Sequence, residues 1–200
     1  MTARPSASTA AGVLLLIALL LPPVKHQLES SMTIQMLLQI PMLVIVGVLL
    51  RAALPAGVLR WSADWDYLGI SGLVLASLAA AFWLLPRLFD SAVAEPAVDA
   101  ARYVSVPLLI GLPLAVSWPR AGFIVRGMFL LEFIATLFRM GWIYLIWPNR
   151  LCNYYLLDDQ QRLGEYLVLI GGACCLSVGI RLLWGRIDTR PGITRIATQR

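Results

Sequence analysis

The feature that most constrains this 200-residue chain is the spacing of its apolar runs. Six stretches, at about 10–24, 32–50, 68–86, 103–118, 127–147 and 166–184, are dominated by aliphatic residues and separated by short polar segments. Runs of about 15 to 20 residues suit helices that cross a bilayer, whereas barrel strands alternate over roughly 10 residues. In lipid the backbone amides must be satisfied internally, which leaves only helices and closed barrels. The pattern therefore predicts an all-α, polytopic transmembrane bundle of about six spans, one integral membrane domain over 1–200, with a basic tail at 185–200. Composition agrees: 60% of residues are hydrophobic, 14% are charged and mean hydropathy is +0.79, which excludes an ordinary soluble globule.

The first run follows a short arm carrying Arg4 and ends in Pro22-Pro23, so it fits either a signal peptide or a short first span. Pro-Pro-Val-Lys follows it without a small-x-small cleavage pair, which favours an uncleaved span. Six spans put both termini on one side. With the termini cytoplasmic, the inner segments hold Arg4, Arg51, Arg60, Arg120, Arg126 and the tail arginines Arg181, Arg186, Arg190, Arg195 and Arg200, against three acids. The outer loops then hold five cations against seven acids, as the positive-inside rule requires. The net charge of +5 is thus read as a lipid-facing tail and not as a nucleic-acid surface, so membrane lipid is the expected partner. Trp61, Trp65, Tyr67, Trp83, Tyr103, Trp118, Trp142, Tyr144, Trp147 and Trp184 cluster near span ends, where amphipathic rings suit the interface.

Candidate chemistry is sparse. His26 is the single histidine, which excludes any centre needing two imidazoles from one chain, and the three cysteines, Cys152, Cys174 and Cys175, form no disulfide framework. Met32 and Met36, four apart, share a helical face near the predicted outer surface. Thioethers are soft ligands for Cu(I), but methionine also fills helix contacts, here beside the kink expected at Pro41. Gln35 and Gln39 are costly in lipid unless they bond across helices, so they are expected to point into the bundle. Glu132 and Arg139 lie seven residues apart on a common face of the fifth span, as a proton path or a structural ion pair. The polar loop before the last span carries Asp158, Asp159, Gln160 and Gln161, a surface for a partner. No nucleophile–base pair, metal triad or phosphate loop is spaced for catalysis, so no enzyme is expected.

Four of these stretches resemble, in order, the CtaG-type multi-spanning membrane family associated with assembly of bacterial cytochrome c oxidase. The family's His-Met-x-x-His segment, with Leu-Leu and then proline, is similar to Ser31-Met32-Thr33-Ile34-Gln35-Met36-Leu37-Leu38 and Pro41. Its Trp-x-His-x-Pro segment, with an aromatic residue and Asp, resembles Trp83-Leu84-Leu85-Pro86-Arg87-Leu88-Phe89-Asp90. A span closing in Trp-Pro resembles the run ending Trp118-Pro119, and the late Asp-Gln-Gln-x-x-Gly matches Asp159-Gln160-Gln161-Arg162-Leu163-Gly164. The resemblance covers about residues 31–184, and the family's histidines, which fall at Ser31, Gln35 and Leu85, are not retained. It implies a bacterial inner-membrane protein acting at the outer face, where Ser31, Gln35, Met36, Trp83, Asp90 and the Asp158–Gln161 loop would gather. The expected function is a non-enzymatic assembly or accessory factor for a respiratory copper enzyme, partnered by an oxidase subunit or a copper donor. The alternatives are a small Cu(I) carrier, with copper on Met32, Met36 and His26, or a metal-free accessory subunit.

Overall fold

The computed structural model of the chain describes residues 7–147 and 157–184, as nine helices and no strand among them. In chain order they are α1 (Ala7–Leu20), α2 (Pro22–Glu29), α3 (Met32–Ala53), α4 (Ala56–Trp65), α5 (Ile70–Trp83), α6 (Pro86–Ala94), α7 (Pro96–Ser117), α8 (Phe123–Ile146) and α9 (Leu157–Trp184). The first-arm Arg4, Cys152 and its loop, and the tail at 185–200 lie outside the described residues, as does the side chain of Asp90.

Prolines punctuate the chain. Pro22, Pro86 and Pro96 each occupy a first helical turn, where the missing N–H costs nothing, so each residue ends the preceding path and starts a new helix. Inside α3 and α7 the prolines act differently. Gln35–Gln39 and Pro107–Gly111 are single π-turns, and each closes two residues before a proline, Pro41 and Pro113. The proline ring would clash with the carbonyl four residues back, at Leu37 and Leu109; widening the preceding turn relieves that clash without breaking the helix.

Four helices, α3, α7, α8 and α9, are long and apolar enough to cross a membrane. The pairs α1–α2 and α4–α5, bent by 72° and 93°, bring the total to six if each pair is one span. An all-α membrane bundle of the predicted kind results, with different span limits. Helix α7 starts at Pro96 and α9 at Leu157, several residues before the apolar windows, because backbone hydrogen bonding continues through Asp99, Arg102, Asp158 and Asp159 where hydropathy drops. Helices α1 and α5, at 14 residues each, are about 21 Å long, shorter than the roughly 30 Å hydrocarbon layer.

Two glycine contacts set the packing. A Cβ on Gly47 of α3 would lie 2.1 Å from the Pro107 carbonyl oxygen of α7, and one on Gly111 would lie 2.3 Å from that of Val44, so these two backbones touch. A Cβ on Gly141 of α8 or on Gly164 of α9 would likewise lie 3.0 Å from the other's carbonyl oxygen. Close approach through small residues is how membrane helices gain dispersion contact without a hydrophobic driving force. Around the first crossing α1, α3, α5 and α7 bury Leu19, Leu43, Val46, Ala76 and Val106; around the second, Met32 and Met36 of α3 pack with Tyr144, Leu163 and Leu167. The molecule is thus an N-terminal helical group joined to an α8–α9 hairpin through the first turns of α3 and through α5, which also meets α8.

Candidate functional site at one end of the bundle

The end of the bundle formed by α2 and the first turns of α3, α7 and α9 concentrates the polar contacts. Asp159, in the first turn of α9, reaches across to α3: Ser31 Oγ donates to its Oδ1 at 2.8 Å and Thr33 Oγ1 at 2.9 Å, while the Met32 N–H donates to Oδ2. Ser31, at the N-cap position, makes no cap of its own, so a carboxylate from 127 residues away caps α3 instead. Negative charge at a helix N-terminus satisfies orphan amides and complements the macrodipole. Beside it, Gln160 donates to the Tyr144 carbonyl oxygen at 3.3 Å, tying α9 to the end of α8.

The second cluster joins α2 to α7. Arg102 is 1% exposed, and its Nη2 donates to Asp99 at 2.5 Å and to Glu29 at 2.9 Å. Lys25, one turn before Glu29 on α2, pairs with the same Asp99. Two cations and two carboxylates therefore neutralise one another, which a buried guanidinium requires. The Asp99 carboxylate that Lys25 bonds holds its amine above the ordinary 10.5, against the opposing effect of burial. Deeper in the bundle Gln39 Nε2 donates to the Tyr103 hydroxyl at 2.7 Å, which donates to the Leu19 carbonyl oxygen at 3.1 Å and so links α3, α7 and α1. Trp83 Nε1 donates to Ser105 Oγ at 2.9 Å, tying the end of α5 to α7.

The structure thus brings Ser31, Gln35, Gln39, Trp83, Asp159 and Gln160 to this end, with Gln35 and Gln39 fully buried. Asp158 and Gln161 are exposed on α9, and His26 is exposed on α2. Glu132 and Arg139 are placed differently from a bundle-interior pair: they bond to each other on the outer surface of α8, with side chains 58% and 60% exposed. Helix α8 turns its other face, with Ile134, Gly141 and Tyr144, toward α9, which leaves the charged face outward.

Reading the sequence alone missed Lys25, Glu29, Asp99 and Arg102 as a unit, counting them as separate loop charges. The signal was helical spacing: Lys25 and Glu29 are four apart, and Asp99 and Arg102 three apart, so each pair shares a face.

The copper implied by the family likeness does not fit the residues present. Met32 and Met36 are 0% and 6% exposed, packed against Tyr144, Leu163 and Leu167, and Ser31, which the likeness would set at a histidine position, is engaged by Asp159. No group of three His, Cys, Asp or Glu is placed to hold a metal ion among the described residues.

Fold and composition define the class, a polytopic α-helical membrane protein. No family model, no curated protein and no solved structure matches the chain.

Proposed function

We propose that the chain is a non-enzymatic assembly or accessory factor of the bacterial inner membrane for a respiratory copper enzyme, cytochrome c oxidase, presenting its outer end to an incoming subunit. The observation that carries this reading is the contact of Asp159 with Ser31 and Thr33. It joins two of the stretches on which the family likeness rests, 31–41 and 159–164, although they are far apart in the chain. The exposed Asp158 and Gln161 beside that contact offer an acidic, hydrogen-bonding surface to a partner.

Of the two alternatives, the metal-free accessory subunit draws support from the buried methionines, because a Cu(I) carrier needs thioethers that an ion can reach and leave. The proposed role is therefore that of a scaffold, with no metal passed along the Met32–Met36 face.

The test is cytochrome c oxidase activity per haem in membranes of cells lacking this protein, at limiting and at ample copper. The expected result is a loss that copper does not restore. A loss that copper restores would replace the scaffold with metal delivery, and unchanged activity at both copper levels would remove the oxidase from the reading.

A further inference from the structure

The ion pair on α8 sits where a single chain in a bilayer gives it no cover. Glu132 and Arg139 are the tenth and seventeenth of the helix's 24 residues, on either side of its midpoint. Both face away from α9, so in an isolated protomer a charged pair would meet the acyl chains. Charged side chains in spanning helices almost always face protein or a wet cavity.

The surrounding residues form a seam. Met128, Glu132, Ala135, Arg139, Trp142 and Ile146 follow one another at alternating four- and three-residue steps, and none of the six is buried. That spacing is the inter-helix stripe of a left-handed helix pair, with the small Ala135 between the two charges to let backbones approach. The face is also neutral in sum. It carries one positive and one negative side chain, with Thr136 as a further hydrogen-bond partner of both. The Arg139 contacts to Glu132 and Thr136 both run through Nη2 of a side chain that is 60% exposed, and a guanidinium has further N–H donors to offer.

We infer that this face of α8 is a dimer interface that packs against the same face of a second copy in the same orientation. Each Arg139 then bridges its own Glu132 and the second copy's Glu132, so a neutral ring of four charges lies between two helices and away from lipid. A foreign helix would have to bring its own ion pair at the same depth, whereas a second copy brings it by symmetry.

The experiment reconstitutes the full-length chain, dye-labelled, in phosphatidylcholine vesicles and counts photobleaching steps over a series of protein-to-lipid ratios. The native chain is expected to shift from one step to two as the ratio rises. The Glu132→Leu/Arg139→Leu variant removes the reason for association and should dimerise roughly tenfold to a hundredfold more weakly. The reversed pair Glu132→Arg/Arg139→Glu keeps a neutral set of four charges and should dimerise like the native chain. Because both charges face outward, neither variant disturbs the α8–α9 contact. In a chain stripped of its native cysteines, Trp142→Cys should form an intermolecular disulfide, and Leu169→Cys, exposed on α9, should not. A native chain that stays at one step at every ratio, a leucine variant that dimerises as well as the native, or cross-linking at 169 in place of 142 would each overturn the inference.

Discussion

The molecule solves the same electrostatic problem twice, in opposite ways. At the α2 end, Arg102 is enclosed by Asp99 and Glu29 inside the N-terminal group; on α8, Arg139 meets Glu132 on an open face. The burial of the spanning helices follows the same division: 33% and 44% of the apolar windows of α3 and α7 are buried, against 17% and 11% for α8 and α9. An Arg–carboxylate pair whose guanidinium is buried between helices holds those helices of one chain together. The same pair on an outer face adds little to the fold and marks a surface to be covered. The difference lies in the surroundings of each pair and not in its chemistry.

The sharpest way to break this comparison is at the glycines. Gly111→Val places new atoms against the backbone of α3, which cannot step aside, and should cost upwards of about 3 kcal/mol by overpacking. Gly172→Val on α9, where a Cβ meets nothing within 4 Å, should change stability by less than about 0.5 kcal/mol. Unfolding in a mild detergent, followed by tryptophan emission, separates the two.

Next in size is the join between the two regions. Asp159→Ala removes the acceptor shared by Ser31, Met32 and Thr33 and should cost about 2 kcal/mol. Hydrogen exchange should rise in the first turns of α3 and α9 and not at the Gly47–Gly111 crossing. Uniform loosening would show that the hairpin and the N-terminal group are a single cooperative unit.

The smallest effect is that of pH on Lys25. Its amine titrates higher in the folded chain than in the unfolded one, so the stabilising contribution is complete below pH 10.5 and fades as the pH rises through the folded value. The slope of melting temperature above pH 10.5 should therefore be shallower for Lys25→Met than for the native chain.

Much of the architecture could be read in advance, because hydropathy reports the solvent and the solvent leaves few options for the backbone. The helix ends could not: the apolar windows stop near Tyr103 and Tyr166, but α7 and α9 begin at Pro96 and Leu157 and carry their charges into the site. The common face of Glu132 and Arg139 follows from their seven-residue spacing, while its outward direction depends on which side of α8 Gly141 presents to Gly164. The enclosure of Arg102 was equally hidden, since it needs α2 to fold over α7, and no local pattern encodes that contact.

The most direct test of the central contrast is to unfold Arg102→Leu and Arg139→Leu side by side, in detergent at a dilution where the chain is monomeric. Arg102→Leu leaves Asp99 and Glu29 without their shared cation and should lose about 3 to 5 kcal/mol, whereas Arg139→Leu should stay within about 0.5 kcal/mol of the native chain. Equal losses, or a greater loss at Arg139, would contradict the account.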